Sequence, residues 1–476
     1  MKKIRLFAIT ITCLFIFSTI TSASSIDLSV NQTFLRDKDM ISSYFLYSTY
    51  DIIIPDNYST IQEGLNNAKP GYKILVKSGI YKENLSIKTK DIILQGQNTY
   101  NTILDGCNSG EDGILIDAEN VTVQGFTITK FRAIGKLFWD QAGIKVYKPN
   151  ATIKNNRLVE NRWGIEIYVL AYNSTIINNE LIGDGISLGN YFNHPYYPNL
   201  TLKDFLHTIN GNTVNDLPLY YYIDRNDFTV PIDVGQLILV NCTNVTVENL
   251  YMTKNDFSMI FAYCNNCTIQ NNNVSDTEGE ILFYCCENNT IQNNTITNTF
   301  KAICLEFKSK NNIVRYNDCS KNVCGISVFL SANNNKVYEN VANNNEQFGI
   351  EIISCHGGKQ WNNTLSKNQV KNNYVGVFLS ENCINNTIQN NSIKRNRIGI
   401  YLSKSSNDNC FKYNNIQGNL ISAIFFGCTK NCWYKNYWNR PRLLPKAVKG
   451  IRNIGKLPIP WVNFDFKPSL KPNIVT

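Results

Sequence analysis

Asn288-Asn289-Thr290-Ile291-Gln292-Asn293-Asn294-Thr295-Ile296 is a short apolar alternation punctuated by paired asparagines, and close copies of it recur along the chain. Anchored on its first aliphatic or aromatic position, the series runs Val123, Ile153, Ile176, Ile209, Val247, Ile269, Ile291, Val314, Val337, Leu365, Ile388, Phe411 and Trp433. From Val247 the steps are 22, 22, 23, 23, 28, 23, 23 and 22 residues. Three positions past most anchors stands an asparagine, among them Asn156, Asn272, Asn294, Asn317, Asn391 and Asn436. Five past, the residue is mostly apolar, and about a dozen past comes Gly-Ile or Gly-Val, as at Gly325-Ile326 and Gly376-Val377. Short alternating runs broken by Asn and Gly are strands joined by tight turns. Three such runs per 22–23 residues make one coil of a parallel β-helix, a solenoid that stacks at ~4.8 Å per coil. Asparagine suits the bends, because it tolerates left-handed backbone and its amide can bond from coil to coil.

The rest of the chain divides around this repeat. Residues 1–23 read as a signal peptide, with Lys2, Lys3 and Arg5 before an apolar run from Leu6 to Ile20 and the small residues Thr21-Ser22-Ala23. Residues 24–50 are a linker or a docked N-terminal segment. Residues 51–96 hold an entry coil and a short capping helix near Ser59–Ala68, where Ser59 and Gln62 have capping-box spacing. The solenoid spans 97–438, interrupted by an insertion at about 189–235, and 439–476 form a basic, aromatic tail. No later stretch is apolar enough to span a bilayer. Charged residues are only 17% of the chain and hydrophobic ones 43%, so it is neither disordered nor strongly polyelectrolyte despite a net charge of +9. Neither a phosphate-cradling loop nor a nucleic-acid module is legible.

The Asn-Asn-Thr-Ile-x-Asn-Asn and Gly-Ile-x-Leu units resemble the repeats of the carbohydrate-binding and sugar-hydrolase module, and those of NosD-like secreted and cell-surface proteins common in archaea. The element Gly79-Ile80-Tyr81-Lys82-Glu83-Asn84 is similar to the entry coil of that group and of pectin-acting β-helices. The resemblance covers about residues 51–440. It implies an all-β, right-handed, single-stranded parallel β-helix, exported or at the cell surface, that binds a polysaccharide. Polysaccharide lyase or glycoside hydrolase activity is one alternative, and the copper-delivery role of some NosD-like proteins is another. The paired-aspartate and Gly-His-Gly motifs of polygalacturonases and the catalytic aspartates of pectin esterases are missing.

Candidate sites lie where the column faces outward or is broken. The middle residue of each Gly-Ile strand is expected to point outward, which puts Lys145 and Glu166 on neighbouring coils, with Asp140 and Asp184 near the same strip. They are either a surface ion pair or an acid–base pair for polysaccharide cleavage. Phe378, Tyr401 and Phe425 form an outward aromatic run. It is either a sugar-stacking platform or the seat of a folded-back tail carrying Trp461, Phe464 and Phe466. The insertion adds Tyr196 and Tyr197 as carbohydrate contacts. His194, His207, His356 and Cys355 are weak metal candidates without ligand spacing. Cys242, Cys264 and Cys286 fall in one column as small residues at a bend, with copper(I) binding the alternative at Cys264-x-x-Cys267.

Overall fold

A computed structural model describes residues 49–133, 141–190, 200–354, 359–454 and 457–474. The chain winds into a right-handed parallel β-solenoid of about 16 turns, nearly all strand. Three faces alternate along it: one through the anchors, a short one five residues on, and one carrying the Gly-Ile strands. The anchors pair in register from coil to coil, Leu94 on Val123, Ile153, Ile176 and Ile209. A second series runs from Val247 through Ile269, Ile291, Val314, Val337, Leu365, Ile388 and Phe411 to Trp433. Inside each coil the aliphatics meet, as Ile291, Ile296 and Ile303 do with no exposed surface. Each such side chain contributes about 1.5–3 kcal/mol of burial.

The corners explain the asparagines. Each bend uses two adjacent residues with separate tasks. The first takes left-handed backbone, as at Asn271 (φ 57°), Asn293 (φ 56°) and Tyr316 (φ 56°). The second is the buried ladder asparagine, which has ordinary backbone. Asn294 Nδ2 donates to Ile269 O (3.0 Å) and to Asn317 Oδ1 (2.9 Å), while its Oδ1 accepts from Asn272 N (3.0 Å). The expectation that one asparagine does both is therefore corrected. Two further buried ladders run through Asn289, Asn312 and Asn335 and through Asn322, Asn345 and Asn373. Glycine opens each Gly-Ile strand because coils touch there: a Cβ on Gly349 would lie 2.7 Å from Gly376 O and 2.4 Å from Val370 Cγ1.

At the first coil, the helix Ile61–Asn67 lays Ile61, Gly64 and Leu65 on Ile52 and Ile54. Its cap is Thr60 rather than Ser59: Thr60 Oγ1 accepts from Glu63 N (3.1 Å). Glu83 carries its carboxylate across to accept from Ile61 N and Gln62 N, both at 3.0 Å. A carboxylate there meets the free N–H groups and the positive end of the helix dipole.

The insertion conceals a reversal. Asn215 and Asp216, both with positive φ (50° and 66°), make a two-residue turn that pairs Val214 antiparallel with Leu217. The strand Leu217–Ile223 then starts a second stack by pairing parallel with Gln236–Val240. The Gly-Ile sheet of the first stack ends at Ile186–Asn190. The Gln236 amide supplies the missing partner to Ile186: Oε1 accepts from its N–H (2.9 Å) and Nε2 donates to its carbonyl (2.8 Å). The second stack leans back on the first. Trp163 stacks on Phe257 (5.0 Å, 14°), Arg162 Nη1 pairs with Glu278 Oε2 at 2.5 Å, and Arg132 stands 3.9 Å from the same carboxylate.

Candidate functional site: a polar seam opening into an aromatic groove

This fold-back buries the column expected to face solvent. Lys145, Glu166 and Ser187 are register partners on successive coils, yet all are buried, as are Leu282, Cys304, Ser327 and Glu351 on the second stack. The outer surface of one Gly-Ile sheet packs toward that of the other, with Phe205 of the insertion wedged against Tyr263 and Tyr284. The expectation of an exposed Lys145/Glu166 strip is corrected accordingly. Lys145 Nζ bridges Asp112 Oδ1 (3.0 Å) and Glu166 Oε2 (3.4 Å), with 1% of its side chain exposed. A charge at that depth is stable only when paired.

Farther along the seam lies a second cluster. Glu280, Cys304 and Glu306 bring their donor atoms within 4.8 Å of one another. Cys304 Sγ donates to Glu306 Oε1 (3.3 Å), and Lys301 Nζ stands 3.9 Å from Glu306 Oε1 and 3.8 Å from Cys304 Sγ. Burial pushes Glu280 up to about 8 against the pull of Lys301. Burial and then Glu306 raise the Cys304 thiol well above its ordinary value, which keeps it a donor. Burial works against the Lys301 charge, but Cys304, Glu280, Glu306 and Glu351 outweigh it and hold the ammonium. Ser327 Oγ donates to Glu351 Oε1 (2.7 Å), and burial raises that carboxyl as well. Tyr284 joins the clusters: burial raises its phenol first, then the charges of Glu306, Glu280, Cys304 and Glu166. Among the described residues this is the one three-donor group able to meet at a single ion, and the Lys301 ammonium already supplies positive charge there.

The same face then opens. Phe348 stacks on Phe378 (4.8 Å, 8°), Phe378 on Tyr401 at a tilt (5.1 Å, 31°), and Tyr401 meets Phe426 edge to face (5.8 Å, 84°). With Glu346, Gln347, Tyr374 and Ile424 these rings line a groove of about 640 Å³. Phe425 does not belong to it. Tyr401 pairs with Ile424, so Phe425 falls one position later, in register with Leu402, and is fully buried.

The remaining candidates disperse. Asp184 sits in the wall as a member of a corner ladder, accepting from Asn161 N (2.8 Å) and Nδ2 (2.6 Å), and burial raises it to about 7. Asp256 lies beside it, accepts from Gly164 N (2.6 Å) and Gly185 N (2.7 Å), and is raised by burial and then by Asp184. His207 is the one histidine among the described residues. Its Nδ1 accepts from Ser174 N (3.2 Å), Nε2 lies 3.1 Å from Asp204 O, and burial lowers it to about 4. His194, Tyr196, Tyr197, Cys355, His356 and Asp140 lie outside the described residues. Cys242, Cys264 and Cys286 are free and buried, and Cys286 Sγ accepts from Cys264 N (3.3 Å) in a corner column. The tail forms a hairpin, Lys446–Ile454 with Leu457–Asp465, which pairs beyond Ile421–Phe426. Trp461, Phe464 and Phe466 stay partly exposed there and do not line the groove.

Glu280, Lys301 and Glu306 were not singled out in the sequence. The signal was present: Lys301 and Glu306 bracket the apolar run Ala302-Ile303-Cys304-Leu305, and Glu280 precedes Ile281-Leu282-Phe283-Tyr284, in a chain poor in charge.

Comparison with known proteins gives partial matches. Residues 235–393 match the family described as right handed beta helix region. Residues 352–446 match the family described as periplasmic copper-binding protein (NosD). No curated protein sequence matches the chain. Among solved structures, the A-module of the mannuronan C-5 epimerase AlgE6 of Azotobacter vinelandii is 13% identical, over 73% of this chain and 93% of that one, with a TM-score of 0.28. The alginate lyase AlyF-OU02, in complex with G6, is 12% identical over 89% and 93%, with a TM-score of 0.32. The periplasmic alginate epimerase AlgG is 11% identical over 80% and 82%, with a TM-score of 0.27. Among the described residues no helix is long and apolar enough to cross a membrane. Repeat, register and matched region agree that this chain is a right-handed parallel β-helix protein.

Proposed function

We propose that the protein is exported and binds a polysaccharide along the groove of Phe348, Phe378, Tyr401 and Phe426. The carrying observation is the aromatic series itself, climbing the face at coil spacing in an open groove. An apolar patch of this kind on a soluble surface marks an interaction site. The C–H faces of sugar rings cover aromatic surface, and a few polar groups at the rim (Glu346, Gln347 and the Tyr401 hydroxyl) would engage sugar hydroxyls. Affinity electrophoresis of the full chain against neutral and acidic polysaccharides is the test. Phe378→Ala with Tyr401→Ala should weaken retention at least about tenfold, a loss of roughly 1.4 kcal/mol. Retention unchanged in that variant, or absent with every polymer, rejects the proposal.

A second function, acid–base chemistry on the bound polymer, rests on the Glu280/Cys304/Glu306/Lys301 cluster, where a carboxyl that keeps its proton to about pH 8 stands beside an ammonium. Its burial requires the seam to open for a substrate to enter. Release of unsaturated or reducing ends from a retained polysaccharide, lost in Glu280→Gln and Glu166→Gln, would support it; retention without products would count against it. Copper(I) binding, which the NosD description carries, would draw on two at a time of Cys242, Cys264, Cys267 and Cys286, whose thiols donate to backbone carbonyls of the core, since among the described residues no three of them converge on one ion. Failure to retain copper after anaerobic loading would dismiss it.

A further inference from the structure

On the outer side of the anchor face, one position before each anchor, the column is mainly threonine, as at Thr290, Thr364 and Thr387. On the last two coils it becomes Cys410 and Cys432, which are register partners on neighbouring parallel strands. Both are free, Cys432 exposed and Cys410 half-buried. Paired residues on adjacent strands lie ~4.8 Å apart, within the Cα window that a disulfide bridges.

We propose that Cys410 and Cys432 form a surface dithiol that exchanges with low-molecular-weight disulfides. The site is independent of carbohydrate binding. Cys432 is the entering nucleophile, because it is the exposed thiol, whereas burial and then its partner push Cys410 up to about 11. The Cys432 thiolate attacks one sulfur of a disulfide RSSR; that S–S bond breaks and one RS⁻ leaves. Cys410, giving up its proton, then attacks Cys432 Sγ, and the mixed disulfide breaks to expel the second RS⁻. The two thiols lose two electrons, RSSR gains them, and the two released protons end on the two RSH products. Parallel side chains hold their Cβ atoms wider than a disulfide prefers, so the bond is strained and readily reduced again. That distinguishes a reversible site from a permanent staple. Cys242, Cys264 and Cys286, in the same coil geometry but sealed in the core, are shielded from the reagent.

The test is equilibration of the folded full chain across ratios of oxidised to reduced glutathione, followed by acid quench, alkylation and non-reducing peptide mapping. The expected product is a Cys410–Cys432 linked peptide that disappears as reduced glutathione rises, with the core cysteines still free. Cys410→Ser should halt at a glutathione adduct on Cys432, and Cys432→Ser should abolish the linked product. Free Cys410 and Cys432 at every ratio, a stable glutathione adduct on Cys432 in the unmutated chain, or linkage of either to a third cysteine would overturn the proposal.

Discussion

Glu351 and Phe378 are register partners on neighbouring coils, one ending the polar seam and the other beginning the aromatic groove. Seam and groove are thus one column of the second stack's sheet face, covered at one end by the first stack and open at the other. Chemistry in the seam and recognition in the groove would act on one continuous path.

Lys145 is the counter-charge for a carboxylate with 1% exposure. Lys145→Ala should cost about 3–5 kcal/mol in urea unfolding, because the buried Glu166 carboxylate loses the ammonium that balances its charge. Adding Glu166→Gln should recover a large part of that loss. A single variant within ~1 kcal/mol of the parent would show that the ion pair does not hold the seam.

Protonation of two buried acids sets a pH slope. Glu280 and Asp184 are raised to about 8 and about 7 in the folded chain, from 4.5 and 3.8. The folded state therefore binds more protons across those intervals, so stability falls as pH climbs from about 4 to 8 and levels off above. Glu280→Gln should stabilise the chain at pH 8, by an amount on the order of a few kcal/mol, and change it little at pH 4. Parallel pH profiles for parent and variant would contradict the assignment.

The two positions of each corner predict unequal responses to substitution. Asn317→Ala strands the buried Asn294 N–H and Ile291 carbonyl and should cost about 2–4 kcal/mol. Asn293→Tyr places at one left-handed position what Tyr316 and Tyr413 already place at its equivalents, and should cost under about 1 kcal/mol. Equal losses in chemical denaturation would erase the division of labour.

Phe425→Ala empties a fully buried site and should lower stability by about 3–5 kcal/mol. Its polysaccharide retention, measured where the variant is folded, should match the parent, whereas Phe378→Ala with Tyr401→Ala should lose retention with a smaller stability change.

The solenoid was legible because most coils repeat a 22–23 residue spacing, and the anchors chosen from it pair in two series, broken only between Ile209 and Val247. The slip at Phe425 has a local cause. The strand Ile421-Ser422-Ala423-Ile424-Phe425-Phe426 has serine where its neighbours carry glycine, so the marker that sets the register is missing. The reversal was hidden for a different reason. Asn215-Asp216 between Val214 and Leu217 is hairpin chemistry, but it lies in a stretch whose period had lapsed and which therefore read as loop. Without that turn, nothing in the spacing shows that Lys145 and Glu166 face another sheet instead of water. Periodicity reports which neighbours a coil has along the axis and is silent about contacts across it.

Those cross-axis contacts alter how the protein should come apart. A solenoid is close to one-dimensional: each coil feels only the next, and ends can fray coil by coil. Here Arg162 holds Glu278 and Trp163 stacks on Phe257, joining coils far apart in winding order. Asp465, from the terminal hairpin, likewise accepts from Asn436 N (2.9 Å), Asn436 Nδ2 (3.1 Å) and Trp438 Nε1 (3.0 Å), closing the last rung of a ladder. With its far end stoppered and its middle doubled back, the array unfolds less like a zipper and more like a single globule. Cooperativity in this chain should then come from the bend more than from the repeat.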